Sequence, residues 1–409
     1  MKKTLLILGA GTGGTMMANK LRKKLDADLW RIVIVDKQPA HYYQSGFLGL
    51  VFGARKPGQV AKPKKQFIHE SVELIFAEVE AILPEENRVL LRPDNRPISY
   101  DQLVIATGTD ISPEENPGLL GGGWQNSIFD FYTFEGAQNL HQALKHWKGG
   151  RLVMNVAEMP VKCPVAPLEF LFQADHYFKA VGLRNKVELV YALPIPEVFT
   201  RPEVVPIFEG MIEQKDVKVH PDFYLKSVDS EKQVIDSYTG DQLDYDMLVT
   251  IPTNMGAKMI ARSGMGDEFR YMPVDMHTLQ AEGYENIWVI GDAADLPCPK
   301  TASAIHGMSA TVVENVLRLD AGKPLAKTFD GETKCIISVG GKSCFLLAFS
   351  YTQPPKPGKY PLPGIGPFSI LKPTRGNYLA KRGLLGMYWN LFLPARYTPP
   401  RYTKGERNG

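Results

Sequence analysis

Apolar positions fall into two repeating arrangements along the chain. Thr4-Leu5-Leu6-Ile7-Leu8 is one nearly unbroken apolar run, and Ile32-Val33-Ile34-Val35, entered through Arg31 and ended by Asp36, is another. Runs of this length suit strands covered on both faces of a parallel sheet. Between them Met16, Met17, Leu21 and Leu25 recur at helical spacing, so residues 4–36 read as a strand–helix–strand unit. The arrangement returns later: Leu152–Val156 and Val187–Tyr191 read as strands, with a helix at about Ala166–Val181 between them. Tyr245–Pro252 supplies a further strand. Residues 73–92 alternate as shorter strands before a turn at Pro93-Asp94-Asn95. Tyr100–Gly108 and Asn286–Asp292 read as strands that run into Ala-Thr-Gly and Gly-Asp, and a helix follows from about Thr301 to Leu317. From Phe329 the character changes, and Pro and Gly punctuate Tyr351–Pro373, which predicts loop.

The two strand–helix–strand units differ at the turn after their first strand. The first carries Gly9-x-Gly11-x-x-Gly14, with Asp36 about 20 residues on. Glycines there let a pyrophosphate approach the backbone at a helix N-terminus, and the acid reaches an adenosine ribose. The loop does not separate FAD from NAD. FAD is favoured by the Ala106-Thr107-Gly108 strand end and by the Gly291-Asp292 strand end, whose carboxylate suits a ribityl chain. The helix near Thr301 would direct its dipole at a reduced flavin. The second unit continues as Ala157-Glu158-Met159-Pro160-Val161-Lys162-Cys163-Pro164. No glycine is left for the tight turn, and Glu158 would repel a phosphate. A redox thiol stands where a second dinucleotide loop belongs.

Composition narrows the class without changing this picture. The chain has 409 residues, 44% of them hydrophobic and 22% charged, with a formal charge of +3. That is room for two or three domains and too little charge to suggest a nucleic-acid partner. The four cysteines match neither a disulfide scaffold nor a zinc pattern. Met1-Lys2-Lys3 before an apolar run resembles a secretory start, but the run feeds straight into the glycines, so a first strand and no cleavable signal peptide are expected. No run of about 20 apolar residues suggests a spanning helix. The tail Leu379–Leu393 is apolar and aromatic, framed by Lys372, Arg375, Lys381, Arg382, Arg396 and Arg401. It suits an interfacial segment lying on a bilayer; a C-terminal helix docked in a soluble dimer is the alternative.

Taken together, the chain resembles sulfide:quinone oxidoreductases, peripheral membrane flavoproteins of the disulfide oxidoreductase superfamily, over nearly its whole length. The matching segments are His41-Tyr42-Tyr43-Gln44, Lys162-Cys163-Pro164-x-Ala166-Pro167, Gly291-Asp292-Ala293-x-x-Leu296-Pro297 and Pro299-Lys300-Thr301-Ala302. Further on come Phe329-Asp330-Gly331-x-Thr333-x-Cys335 and Met387-Tyr388-Trp389-Asn390. The Tyr-Tyr-Gln, Pro-Lys-Thr-Ala and Tyr-Trp-Asn forms are similar to the branch that includes mitochondrial enzymes. The resemblance implies Cys163 and Cys335 as the redox pair beside FAD, with Cys344 the rival for the second role. It implies sulfide as donor, a membrane quinone as acceptor, and attachment to a membrane surface. FAD would lie against Gly9, Gly11 and Gly14, against Asp36, Lys37, Gln44 and Val79, and against Ala106, Thr107, Gly108, Asp292 and Lys300. A third cysteine found upstream in many bacterial members is absent here. Glu169 is either a proton carrier or a solvated helix charge, and Cys298 is left out of the chemistry.

The fold expected is α/β, with two Rossmann-like dinucleotide-binding domains, the second lacking its phosphate loop, and a C-terminal membrane-attachment region. Residues 1–110 with 256–328 form the FAD domain, 111–255 the second domain carrying Cys163, and 329–409 the C-terminal region with Cys335. A homo-oligomer is compatible with this layout. Type II NADH:quinone dehydrogenase and the flavoprotein subunit of a cytochrome-linked sulfide dehydrogenase are the competing readings. The first needs the missing phosphate loop, and the second a signal sequence and a polar C-terminus.

Overall fold

A computed structural model describes residues 2–362 and 364–397. Two parallel five-stranded sheets organise it. In the first, the strand order is Ile287–Val289, Gln102–Ile105, Lys3–Leu8, Trp30–Asp36 and Glu73–Phe76. Leu5 pairs with Ile32 on one side and with Gln102 on the other, so the predicted apolar runs occupy its centre. Helices Thr12–Arg22 and Ala304–Asp320 cover one face through Met17, Leu21, Met308 and Val312. The other face is closed by the antiparallel strands Val79–Leu83, Arg88–Leu91 and Arg96–Ser99.

The second sheet repeats this plan, in the order Ile128–Phe129, Met247–Ile251, Gly150–Val156, Val187–Ala192 and Val217–His220. Helices Ala166–Ala180 and Val205–Gln214 cover one face, and three antiparallel strands spanning 225–244 cover the other. The chain passes between the two sheets as an antiparallel pair, Thr109–Ile111 with Asn254–Gly256.

After residue 329 the sequence reading stops short. Residues 351–373 are largely loop, as expected, but four strands form a sheet ordered Thr333–Ser338, Cys344–Phe349, Phe368–Ile370, Gly358–Tyr360. All six residues of Cys344–Phe349 are buried, and each large apolar side chain so covered contributes roughly 1.5–3 kcal/mol. Helix Arg375–Met387 packs on this sheet and continues as one π-type turn, Tyr388–Phe392.

The aromatic tail departs from the interfacial expectation. Tyr388, Trp389, Phe392 and Leu393 are buried in a cluster with Met16 and Ile305, against the helix that follows the first glycine loop. Asn19 donates to the Leu393 carbonyl (3.0 Å) and Trp389 to the Gln59 carbonyl (3.0 Å). Rings that sequence alone assigns to a lipid boundary are covered by protein, because the dinucleotide helix offers them an apolar face. Arg401 lies outside the described residues. Among the described residues no helix is long and apolar enough to cross a membrane.

Candidate active site

The first loop is built for close approach. Gly9 has φ +93°, and a Cβ there would lie 2.5 Å from the Ala106 carbonyl oxygen. A Cβ on Gly14 would meet the Gly9 oxygen at 1.8 Å, whereas a Cβ on Gly11 would meet nothing within 4 Å. The turn is thus locked at its two ends and open in the middle, where a pyrophosphate needs room. Asp36 closes the far side: it accepts from the Ala10 N–H (2.7 Å), from the Gln38 N–H (2.8 Å) and from Lys64 (2.6 Å). A carboxylate has about four acceptor positions, so one remains for a ribose hydroxyl. Lys64, buried beside Asp36, had no signal in the sequence.

The strand-end residues show the same fit. The hydroxyls of Thr107 and Thr109 are buried without a protein partner, which suits a polar group lying along this backbone. Asp292 stands opposite, its carboxyl pushed up by burial and drawn back by the Lys162 and Lys300 charges. Lys300 donates to the carbonyls of Asp292 and Ala294 (2.9 Å each) and lies 3.7 Å over the Tyr271 ring. Of the remaining predicted cofactor residues, Lys37 and Gln44 are exposed, and the Val79 carbonyl accepts from Arg262 (2.7 Å). The helix expected from Thr301 begins at Ala304.

The second loop has different chemistry. Strand Gly150–Val156 ends without glycine, and the Glu158 carboxylate accepts from Thr253 (3.0 Å). The loop then forms a parallel bridge, Lys162 to Lys300, with the Cys163 N–H donating to the Lys300 carbonyl (2.8 Å). Cys163 has φ +53°, a left-handed conformation that costs an L-residue roughly 1–3 kcal/mol. The following helix starts three residues later, with the Ala166 N–H on the Cys163 carbonyl.

Sheet alternation separates the two candidate partner cysteines. On strand Thr333–Ser338, Cys335 shares a face with Ile337, which belongs to the core formed by the Cys163 helix. Cys344 pairs with Ser338 on the opposite face, its sulfur 3.7 Å from the Ser338 hydroxyl. Cys335 is the sulfur whose ionisation Cys163 opposes, after burial; at Cys344 the groups that act after burial are Lys381, Ser338 and Glu169. All four cysteines are free thiols.

Burial pushes the Cys163 thiol up to about 12, with Glu169 adding to the rise and Lys381 opposing it. Lys381 comes from the C-terminal helix and ion-pairs with Glu169, which also accepts from Gln173 (3.2 Å). Glu169 is therefore buried and paired, which removes the solvated-charge reading. Lys381, counted among the basic frame of a membrane segment, turns inward instead. The lysine adjacent in sequence, Lys162, donates to the Thr109 carbonyl (2.9 Å).

Residues 3–313 match the model of the pyridine nucleotide-disulphide oxidoreductase family. The chain belongs to that family. It is 27% identical over 409 residues to the mitochondrial sulfide:quinone oxidoreductase of Mus musculus, covering 98% of this chain and 88% of the relative. To the mitochondrial enzyme of that name from Dictyostelium discoideum it is 29% identical over 352 residues, covering 85% and 77%. The solved sulfide:quinone oxidoreductase of Aquifex aeolicus superposes with a TM-score of 0.79 at 19% identity, covering 95% of this chain and 92% of that one, a likeness of fold.

Proposed function

We propose that this family member oxidises sulfide at Cys163 and Cys335 and passes two electrons through FAD to a quinone. The observation that carries the reading is the replacement of a second dinucleotide loop by a cysteine, inside a chain whose first loop still fits a dinucleotide; the effect of Cys163 on Cys335 ionisation supports the pairing. Relatives bearing the sulfide:quinone name support it. FAD, when bound along Gly9–Gly14, Asp36 and Thr107, supplies a two-electron acceptor.

The chain's own residues account for the sulfur steps. With Cys163 and Cys335 oxidised to a disulfide, hydrosulfide attacks that bond; one sulfur becomes a persulfide and the other leaves as a thiolate. A second nucleophile takes the sulfane sulfur, and the two thiols close again to the disulfide, releasing two electrons and two protons. Lys381 favours the thiolate form of a sulfur that burial disfavours. Glu169, through the same ion pair, holds Lys381 beside that sulfur. Lys162 and Lys300 hold positive charge at Asp292.

Division into 1–110 with 256–328, 111–255 and 329–409 follows from the same reading. The membrane face falls on Leu362, Ile365 and Leu379, each more than half exposed, with Lys372, Arg375 and Arg382 nearby in sequence and exposed. The Glu158-bearing loop disfavours a nicotinamide dinucleotide. The deciding experiment is anaerobic: sulfide bleaches the flavin absorbance and NADH does not. Bleaching by NADH alone would transfer the chain to the NADH:quinone class.

A further inference from the structure

The Lys162–Cys163 peptide is held at both edges. Its carbonyl accepts from the Tyr132 hydroxyl at 2.6 Å, and its N–H donates to the Lys300 carbonyl at 2.8 Å. A peptide unit is planar, so fixing its C=O and N–H together fixes the rotation that sets φ at Cys163. That φ is +53°, which the chain does not adopt unaided. Tyr132 is itself anchored: its N–H and that of Thr133 donate to Asp130 (2.9 and 2.7 Å), and its ring is buried edge-on to Phe131. The preceding Lys162 N–H donates to the Asn254 side chain (3.2 Å).

We infer that Tyr132 is a positioning residue for the Cys163 sulfur, its hydroxyl holding the 162–163 peptide in the orientation that presents the thiol to Cys335. The inference rests on the reading of Cys163 and Cys335 as the reacting pair. Without the hydroxyl, the Lys162 carbonyl loses its donor, and the 3.4 Å contact that the same hydroxyl makes to the Cys163 carbonyl goes with it. The peptide then rotates toward ordinary φ values and carries the sulfur with it.

Tyr132→Phe in the FAD-loaded, full-length protein removes that bond and keeps the ring. Sulfide-driven flavin bleaching in an anaerobic stopped flow slows about 100-fold, the scale of a misplacement of about 1 Å. Dithionite-reduced variant hands electrons to a soluble quinone at the wild-type rate. In a sulfide-free assay, diamide closes the Cys163–Cys335 bridge more slowly, read by mass after alkylation. Asn254→Ala, which frees the Lys162 N–H, shows the same one-sided loss at smaller size. Wild-type bleaching and closure rates in Tyr132→Phe, or equal slowing of both half-reactions, overturn the inference. If wild-type protein does not bleach with sulfide, the functional reading fails, while the closure assay still judges the clamp.

Discussion

Two turns occupy the same place in two similar sheets, and they are solved by opposite means. After Lys3–Leu8 the backbone is made permissive: Gly9 and Gly14 stand where side chains would collide, and Gly11 leaves open space. After Gly150–Val156 the backbone is made obligatory, and an L-residue, Cys163, is forced to positive φ by hydrogen bonds from three other segments. A glycine loop leaves its conformation to be filled by a ligand. For the proposed reaction a cysteine loop has to arrive already placed, because the reacting atom is its own. The fold tolerates both, since the strand and helix on either side are set by apolar packing and not by the turn.

The sharpest way to break this comparison is to remove the sulfurs. Cys163→Ser and Cys335→Ser should each abolish sulfide-driven flavin reduction while FAD stays bound, because the first loop is untouched. Cys344→Ser should leave reduction intact, since that sulfur lies on the other face of its sheet. Normal reduction in Cys335→Ser together with loss in Cys344→Ser would reverse the pairing. Stopped-flow absorbance with FAD content measured on the same samples settles it.

The wall of the first loop offers a pH test. His41 is buried; its Nδ1–H donates to the Ala10 carbonyl (3.2 Å), which leaves Nε2 to accept from the Tyr388 hydroxyl (2.6 Å). Burial, with help from Lys64, lowers its pKa to about 4. Between the unfolded value near 6.5 and the folded value, the unfolded chain binds a proton that the folded one refuses, so stability falls as pH drops through that window. The loss reaches about 3 kcal/mol at the acid end. His41→Gln, which cannot titrate, should flatten the slope of melting temperature between pH 6.5 and 4; an unchanged slope assigns the acid loss elsewhere, His306 being another imidazole whose pKa desolvation lowers.

A steric test of the same loop is smaller. Gly14→Ala forces a methyl against the Gly9 carbonyl, and overpacking of that kind costs roughly 1–3 kcal/mol. Protein purified with this substitution should be depleted in FAD, whereas Gly11→Ala should fold normally and weaken FAD only through lost room. Equal FAD content in both variants would show that the turn is not locked where the geometry locks it.

These contrasts explain what the sequence could and could not disclose. The central strands of the two sheets were legible because buried parallel strands are continuous apolar runs, and the Gly9–Gly14 turn because its chemistry is local; the edge strands Ile128–Phe129 and Val217–His220 were not read. Cys163 was legible as an anomaly in an otherwise repeated pattern. The sheet of 333–370 was not, since two of its four strands are three residues long amid Pro and Gly, and their pairing with the two longer strands is set by burial. Tyr132, Lys64 and Lys381 were invisible for a common reason: each acts on a residue more than 25 positions away, and no periodicity records such a contact. The tail was legible by composition only, and Tyr388, Trp389, Phe392 and Leu393 within it are covered by protein. Aromatic residues flanked by basic ones fit a lipid boundary or a protein groove equally well by composition, and only the partner surface decides.

The gentlest probe concerns what makes the second loop reactive once it is placed. Burial opposes a thiolate at Cys163, Glu169 opposes it further, and Lys381 is the cation that works against both. Lys381 belongs to the C-terminal helix, so a thiol that follows the second sheet's central strand feels a charge delivered by a helix more than 200 residues on. Lys381→Met keeps much of the chain length and removes the charge. The Cys163 thiol should then rise further; one pKa unit corresponds to about 1.4 kcal/mol and about tenfold in the rate of any step that needs the thiolate. Glu169 loses its partner in the same variant, so Lys381→Met/Glu169→Gln should recover part of the rate by removing the unpaired carboxylate. Because Lys381 touches neither glycine loop nor Asp36, FAD content should not move. Sulfide-driven bleaching measured from pH 6 to 9 in the three proteins tests this. A double variant slower than the single one would mean that Glu169 itself carries the proton and that its charge is needed, which would make the ion pair a catalytic unit and not merely an electrostatic correction to a buried sulfur.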